Sequence, residues 1–173
     1  MENKSLNKYR YTIIIPHYKI INLLGRALQS IPDREDIQIL VVDDNSGIER
    51  CEFEKAHCQF VLLKENRGAG VARNEALKKT EGQWLFFLDA DDFFEEDAFL
   101  VFDKYQDSNH DIVYFNTRSV FSDSLLPSNR FSIYTDSKGR KGSGRENGQV
   151  QRLPSGVILY KLGWQDFPGG SSG

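Results

Sequence analysis

Short apolar runs alternate with amphipathic segments over the first two-thirds of the chain. The runs are rich in β-branched and aromatic residues and predict buried strands at residues 11–15, 37–42, 60–63, 84–88 and 111–116. Apolar residues at helical spacing predict intervening helices at residues 20–31, 48–57, 68–80 and 95–105, with Gly82 ending the third. This alternation predicts an α/β fold in which helices cover both faces of a mostly parallel sheet.

The pattern changes after Ser119. Residues 122–137 mix turn residues with aromatic ones and predict a hairpin, whereas the glycine-rich and charged stretch at 138–148 predicts a flexible loop. Residues 157–162 predict one short element, and residues 168–173 predict a disordered end. We therefore expect an N-terminal extension at 1–10, one domain at 11–135 and a Gly-rich, flexible tail at 136–173.

Composition narrows the classes of partner. The formal net charge of −3 gives no general attraction to nucleic acid or to an anionic membrane surface. The sequence contains no apolar stretch of about 20 residues, the length that spans a bilayer, and residues 1–10 lack the apolar segment of a signal peptide. These features predict a cytoplasmic location, with peripheral attachment at the inner face of the membrane as the other possibility.

Polar residues follow four of the predicted strands, where open parallel sheets bind their ligands. The first group is Pro16-His17-Tyr18, in which His17 is interpreted as a loop residue. The remaining groups are Asp43-Asp44-Asn45-Ser46, Glu65-Asn66-Arg67-Gly68 and Asp89-Ala90-Asp91-Asp92. Five aspartates therefore gather at one edge, where their repulsion favours a hard divalent cation with oxygen ligands, Mn²⁺ or Mg²⁺.

Single motifs leave other interpretations open. Asp43-Asp44-Asn45 also resembles the start of a response-regulator receiver domain, but a complete strand and helix precede it here. Asp89-Ala90-Asp91 resembles the paired acids of haloacid-dehalogenase-type phosphatases, which usually follow the first strand. Acidic turns also cap helices, so Asp92 could cap the helix predicted from residue 95, and Asn45 or Ser46 the helix predicted from residue 48.

Taken together, the motifs IIIPHY, VVDDNS, ENRGAGVARNEAL and GQWLFFLDADDFF are similar in order and spacing to family 2 glycosyltransferases of the GT-A fold, over residues 11–134. The resemblance implies a Rossmann-like GT-A fold, incomplete on its C-terminal side, that transfers a sugar with inversion from a nucleoside-diphosphate sugar, commonly a UDP-sugar. It implies a glycan or lipid-linked acceptor and Mn²⁺ or Mg²⁺ as cofactor. The donor-binding positions that it implies are Pro16, Tyr18, Asp43, Asp44, Asn66, Arg67, Arg73 and Asp89, with Asp91 as the metal ligand.

A general base for the acceptor hydroxyl is harder to assign. Asp166 is the one candidate, in surroundings that do not match the family pattern, and the segment from about Lys138 does not resemble the family. Two functional hypotheses follow. The chain is an inverting transferase, or it is a truncated nucleotide-sugar-binding module that binds a donor and turns nothing over.

Overall fold

The computed structural model describes residues 7–47, 55–115, 120, 125 and 158–161, the last four by their backbone alone. The strands are β1 (Tyr9–His17), β2 (Ile37–Asp43), β3 (Cys58–Leu62), β4 (Gly82–Phe87), β5 (Ile112–Tyr114) and β6 (Ile158–Lys161). The helices are α1 (Ile21–Gln29), α2 (Ala69–Leu77) and α3 (Ala98–Phe102), and a 3₁₀ turn follows at Asp103–Tyr105. The chain forms two compact units, residues 1–113 with 159–173 and residues 114–158, and the site lies in the first.

The sheet has the strand order β3-β2-β1-β4-β6-β5. β1 pairs in parallel with β2 on one side and β4 on the other, β2 pairs in parallel with β3, and β6 runs antiparallel to β4. Every residue of β2 is buried, as are residues 11–17 of β1, which explains why these strands are nearly continuous apolar runs. The predicted α/β architecture is therefore confirmed.

Helices cover both faces of this sheet. On one face Ala72 and Ala76 of α2 pack against Ile14, Leu40 and Leu85 of the strands. The small alanine side chains let the helix lie close to the sheet, and the buried apolar surface is the main source of stability there. On the other face the Phe86 ring lies in an aromatic cluster with Tyr11, Phe94, Phe99 and Phe102.

A buried network of hydrogen bonds joins the segment between α2 and β4 to the sheet. The Thr12 hydroxyl donates to Oε1 of Gln38 at 2.7 Å and accepts the Gly82 N–H at 2.9 Å. Gln38 also accepts the N–H of Glu81 and donates to the carbonyl of Lys79, both at 2.9 Å. A Cβ on Gly82 would lie 2.5 Å from the Thr12 hydroxyl oxygen. Gly82 is thus the first residue of β4, where the close contact with β1 requires a glycine. The prediction that Gly82 ends α2 is therefore wrong.

At the amino ends of the strands a charged cluster holds the loop before β2 to the helical layer. The Arg34 guanidinium makes paired hydrogen bonds to Asp36, at 2.9 and 2.7 Å, and to Asp103, at 2.8 and 3.1 Å. The Tyr11 hydroxyl donates to Asp103 at 2.9 Å. These contacts raise the pKa of Arg34 and lower that of Asp36. This cluster lies at the opposite edge of the sheet from the predicted ligand site.

The predicted elements match the structure with specific exceptions. The helix predicted at residues 95–105 is shorter, because residues 95–97 form a turn in which the Ala98 N–H donates to the Glu95 carbonyl, and α3 begins only at Ala98. Asp92 therefore does not cap it. The predicted helix at 48–57 lies largely outside the described residues, and its last residues, 56–57, form a turn.

The C-terminal predictions have mixed outcomes. The short element predicted at 157–162 is β6. The predicted hairpin at 122–137, the loop at 138–148 and the end at 168–173 lie outside the described residues, apart from the single position Leu125. The domain boundary at residue 135 stays a prediction, although the segment expected as a tail contributes a strand to the sheet.

Candidate functional site

The strand order brings the carboxyl ends of β2, β1 and β4 side by side. Pro16 is buried next to Val42 of β2. Its missing N–H disturbs no pairing with β4, which ends at Ile14 opposite Phe87. Tyr18 follows with 41% of its surface exposed, and its ring lies 5.0 Å from the Lys19 ammonium. An exposed aromatic ring thus stands at the centre of this edge.

Both carboxylate oxygens of Asp43, at the end of β2, make hydrogen bonds within the protein. Its Oδ1 lies 2.7 Å from Nδ1 of His17 and accepts the Ser46 hydroxyl at 2.5 Å, while Oδ2 accepts the Ser46 N–H at 2.9 Å. The Nε2 of His17 accepts the Ile20 N–H at 3.2 Å, so the imidazole proton lies on Nδ1 and is donated to Asp43. His17 is buried as the last residue of β1, which corrects its interpretation as a loop residue. Ser46 binds Asp43 through both its hydroxyl and its N–H.

Asp44 connects β2 to the loop before α2. It is 3% exposed, and its two carboxylate oxygens accept the backbone N–H groups of Arg67, at 2.8 Å, and Gly68, at 2.7 Å. Gly68 has φ +87°, a conformation that favours glycine, and the α2 helix starts at the next residue. Asp44 therefore fixes the position of the first turn of α2, while the side chains of Asn66 and Arg67 remain exposed.

The acidic turn comprises Asp89–Asp92 and follows β4. Arg73 of α2 forms an ion pair with Oδ1 of Asp89, and the Asp92 N–H closes the turn on the Asp89 carbonyl at 2.9 Å. The Asp91 side chain is exposed. The pKa of Asp92 is raised by desolvation and, after that, by the negative charges of Asp91 and Asp89, whereas the charge of Arg26 lowers it. Asp92 nevertheless remains an exposed residue. The turn therefore carries negative charge that the protein neutralises only in part.

Helix α1 and the residue after it contact the acidic turn and the segment that follows the turn. Nη2 of Arg26 donates to the Asp91 carbonyl at 2.7 Å, and its guanidinium carbon lies 4.8 Å from the centre of the Phe93 ring. The Ser30 hydroxyl accepts the Phe94 N–H at 3.0 Å. Neither residue could be predicted from the sequence, because each contact joins positions more than 60 residues apart.

The acidic turn suits only one kind of metal site. Within the described ranges, no group of three His, Cys, Asp or Glu side chains is arranged to hold a metal ion. Asp91 has an exposed carboxylate, and one oxygen of Asp89 is taken by Arg73. These residues fit an Mg²⁺- or Mn²⁺-type ion that takes one or two protein carboxylates and completes its shell with phosphate oxygens and water.

The structure brings most of the sequence-predicted residues together. Those at the ends of β1, β2 and β4 and at the start of α2 lie on one edge of the sheet, as expected from the topology. Asp43 and Asp44 lie there as buried acceptors of protein hydrogen bonds, so the repulsion expected among the five aspartates is relieved at these two by protein donors. Asp166 lies outside the described residues. Among the helices that are described, none is long and apolar enough to cross a membrane.

Known proteins match this chain in sequence and in fold. The minor teichoic acid biosynthesis protein GgaB of Bacillus subtilis is 34% identical over 109 residues, which is 57% of this chain and 12% of that protein. The crystal structure of S. aureus TarS 1-349 matches with a TM-score of 0.54 and 26% identity, covering 60% of this chain and 34% of that one. The mannosyltransferase PcManGT of Pyrobaculum calidifontis, solved in complex with GDP-Man and Mn²⁺, has a TM-score of 0.50, 21% identity, and coverage of 65% and 37%.

These matches agree with the GT-A fold expected from the motifs. The chain spans about a third or less of the length of GgaB and of the TarS structure, so it corresponds to part of such proteins. The model of the glycosyl transferase family 2 matches residues 12–160, which ends within β6 and corrects the expectation that the segment from about Lys138 does not resemble the family. The chain belongs to glycosyl transferase family 2.

Proposed function

We propose that this chain binds a nucleoside-diphosphate sugar, with UDP as the nucleotide, at the edge formed by β1, β2 and β4, and serves an inverting sugar transfer. The observation that carries the proposal is the arrangement of four groups on one edge. They are the exposed ring of Tyr18, the loop that Asp44 holds, the start of α2 and the acidic turn. Teichoic acid proteins among the relatives favour a surface polymer as the product, with a glycan or lipid-linked acceptor.

Each part has a chemical task. Tyr18 offers a face for the nucleobase, and Pro16, Asp43 and Asp44 shape the pocket around it. The N-terminus of α2 favours an anion, and the exposed Arg67, which lies 3.7 Å from Glu65, would bring positive charge to the diphosphate, with Asn66 beside it. Asp89, which pairs with Arg73, would contact the ribose of the donor or the water shell of the metal. Asp91 would hold Mn²⁺ or Mg²⁺, which supplies Lewis-acid stabilisation to the departing diphosphate.

The transfer itself is a displacement at the anomeric carbon. The acceptor hydroxyl oxygen forms the new bond, the bond to the diphosphate oxygen breaks, and the nucleoside diphosphate leaves with the electron pair. The hydroxyl proton passes to a general base, for which Asp166 is the candidate in this sequence. If Asp166 is this base, Asp166→Asn should reduce kcat sharply and leave UDP binding unchanged.

Calorimetric titration of the purified chain with UDP, with and without Mn²⁺, tests the donor site. We expect metal-dependent binding that Asp91→Ala abolishes, whereas Asp107→Ala, an exposed aspartate away from the site, leaves it unchanged. Equal binding by the Asp91 variant would contradict the metal assignment. Binding of GDP or dTDP in place of UDP would correct the nucleotide.

The second hypothesis is a donor-binding module, which binds a nucleotide-sugar and turns nothing over. A radiolabelled UDP-sugar incubated with the chain and Mn²⁺ separates the two. Release of free sugar or labelling of an added acceptor excludes the binding module, and donor binding with neither product supports it.

A further inference from the structure

Arg26 of α1 binds the acidic turn, and Ser30, the residue directly after the helix, binds the chain two residues beyond the turn. Nη2 of Arg26 donates to the carbonyl of Asp91 at 2.7 Å, and the Ser30 hydroxyl accepts the N–H of Phe94 at 3.0 Å. The Ser30 hydroxyl in turn donates to the Ala27 carbonyl at 2.7 Å, which fixes its orientation. Helix α1 and the residue after it therefore contact the chain at the position of the predicted metal ligand and again three residues later.

We propose that Arg26 and Ser30 are positioning residues, which hold the acidic turn so that Asp91 directs its carboxylate outward to a metal-bound diphosphate. This inference rests on the proposed function. The carbonyl and the side chain of Asp91 diverge from the same Cα, so fixing the carbonyl restricts the directions that the carboxylate can take. A ligand held in the right orientation before binding loses less conformational freedom when the ion arrives.

The surroundings of Arg26 agree with this role. Its guanidinium carbon lies 4.8 Å from the Phe93 ring centre, a cation–π distance, and its buried Nε has no hydrogen-bond partner in the described part of the chain. The Nε–H group of Arg26 thus has no acceptor while the guanidinium contacts Phe93 and binds Asp91. A lysine can supply the charge and one hydrogen bond but not the planar stacking.

Arg26 also opposes the repulsion within the turn. Its guanidinium binds the Asp91 carbonyl at 2.7 Å, within a turn of four residues that contains the three carboxylates of Asp89, Asp91 and Asp92. Removing the guanidinium leaves three neighbouring carboxylates with Arg73 as the remaining nearby cation in the described structure. Their repulsion should open the turn until a metal ion binds.

Amide hydrogen exchange of the full 173-residue chain, followed by NMR without nucleotide, tests the positioning directly. In Arg26→Ala we expect the Asp92 amide to exchange roughly tenfold faster or more, as the loss of a hydrogen bond to a charged group implies. Arg26→Lys should restore part of the protection, and Ser30→Ala should accelerate the Phe94 amide. Arg10→Ala is the matched control, since Arg10 lies at the other edge with Asp36 and Asp103. Unchanged exchange at Asp92 in Arg26→Ala would overturn the inference.

A metal titration then separates this inference from the proposed function. At fixed UDP, Arg26→Ala should need roughly tenfold more Mn²⁺ for half-maximal binding and should reach wild-type UDP affinity at saturating Mn²⁺, because the ion itself closes the turn. A variant that opens the turn yet titrates like wild type overturns the link to metal binding. Failure of the wild-type chain to bind UDP, GDP or dTDP with Mn²⁺ refutes the proposed function and this link with it, and the exchange data then decide only what Arg26 does to the turn.

Discussion

Replacing Asp44 with asparagine keeps the size of a buried side chain and removes one acceptor oxygen. In the native chain the two carboxylate oxygens accept the N–H groups of Arg67 and Gly68 at 2.8 and 2.7 Å. The asparagine amide has one oxygen and one NH₂ group, so one backbone N–H then faces another donor. We expect the loop before α2 to lose one of the two contacts that fix it.

The size of the effect follows from burial. A hydrogen bond to a charged group contributes about 1.5–3 kcal/mol, and a buried donor left without an acceptor costs about 1–3 kcal/mol. Both figures describe the same lost contact at a residue that is 3% exposed, so the expected loss in the free energy of unfolding is about 2 kcal/mol. With a urea dependence of about 2 kcal/mol per molar, the unfolding midpoint should fall by about 1 M.

Urea unfolding followed by circular dichroism measures this loss, and amide exchange locates it at Arg67 and Gly68. Asp107→Asn is the matched control, because the same chemical change at an exposed position should shift stability by less than about 0.5 kcal/mol. An Asp44→Asn chain with the native midpoint and native exchange at both amides would refute the reasoning. The structure would then tolerate a donor in place of the carboxylate oxygen, and Asp44 would not hold the loop.

Three further substitutions follow from the same structure. In Gly82→Ala the new Cβ would lie 2.5 Å from the hydroxyl oxygen and 2.7 Å from the backbone nitrogen of Thr12, so we expect a loss of roughly 1–3 kcal/mol in urea unfolding, and an unchanged midpoint would show that β1 and β4 separate freely. In Gly70→Ala nothing lies within 4 Å of the new Cβ, so the free energy of unfolding should rise by about 0.4–1 kcal/mol. If the diphosphate approaches α2, UDP affinity measured by calorimetry should fall in the same variant; a gain in both stability and affinity would place the phosphates elsewhere. The hydrogen bonds from Arg34 lower the pKa of Asp36 below its ordinary 3.8, so the Arg34–Asp36 pair stabilises the fold above pH 3.8 and this stabilisation is lost as the pH falls through the lowered pKa. Between pH 6 and pH 2 the urea midpoint should therefore decline less steeply in Asp36→Asn than in the native chain, and equal slopes would contradict the assignment.

The strands and the order of the motifs could be predicted from the sequence because those signals are local. A run such as residues 11–15 has one stable environment, a strand covered on both faces, and the polar residues after each strand then lie at one edge by topology. The helix predicted at residues 95–105 is longer than the observed α3, because the three acidic residues at 95–97 suit a helix start. Nothing in the local sequence reveals that they form a turn instead.

The partners of the site residues could not be predicted, because they are set by contacts between distant segments. His17 looked like a loop residue, yet the structure buries it between Asp43 and the Ile20 N–H. Arg26 lies on an amphipathic helix where a charged residue usually faces water, and only the packing of α1 beside the acidic turn gives it the Asp91 carbonyl. Periodicity identifies the face of a helix but not the segment that the face will meet.

The same limit explains why the count of aspartates overestimated the charge available to a ligand. The sequence places five carboxylates at one edge, and their mutual repulsion then argues for a cation. In the structure Asp43 and Asp44 spend their oxygens on protein donors, three of them backbone N–H groups, and Arg73 pairs with Asp89. Hydrogen bonds from backbone N–H groups stabilise a buried carboxylate without a bound ion, but a sequence does not reveal which N–H groups will be within reach. The exposed carboxylate of Asp91 and the second oxygen of Asp89 remain for a metal, and one or two protein carboxylates bind a hard divalent ion firmly only together with phosphate oxygens. The described residues therefore favour an ion that enters with the nucleotide, and Mn²⁺ titrated alone should bind far more weakly than Mn²⁺ titrated with UDP.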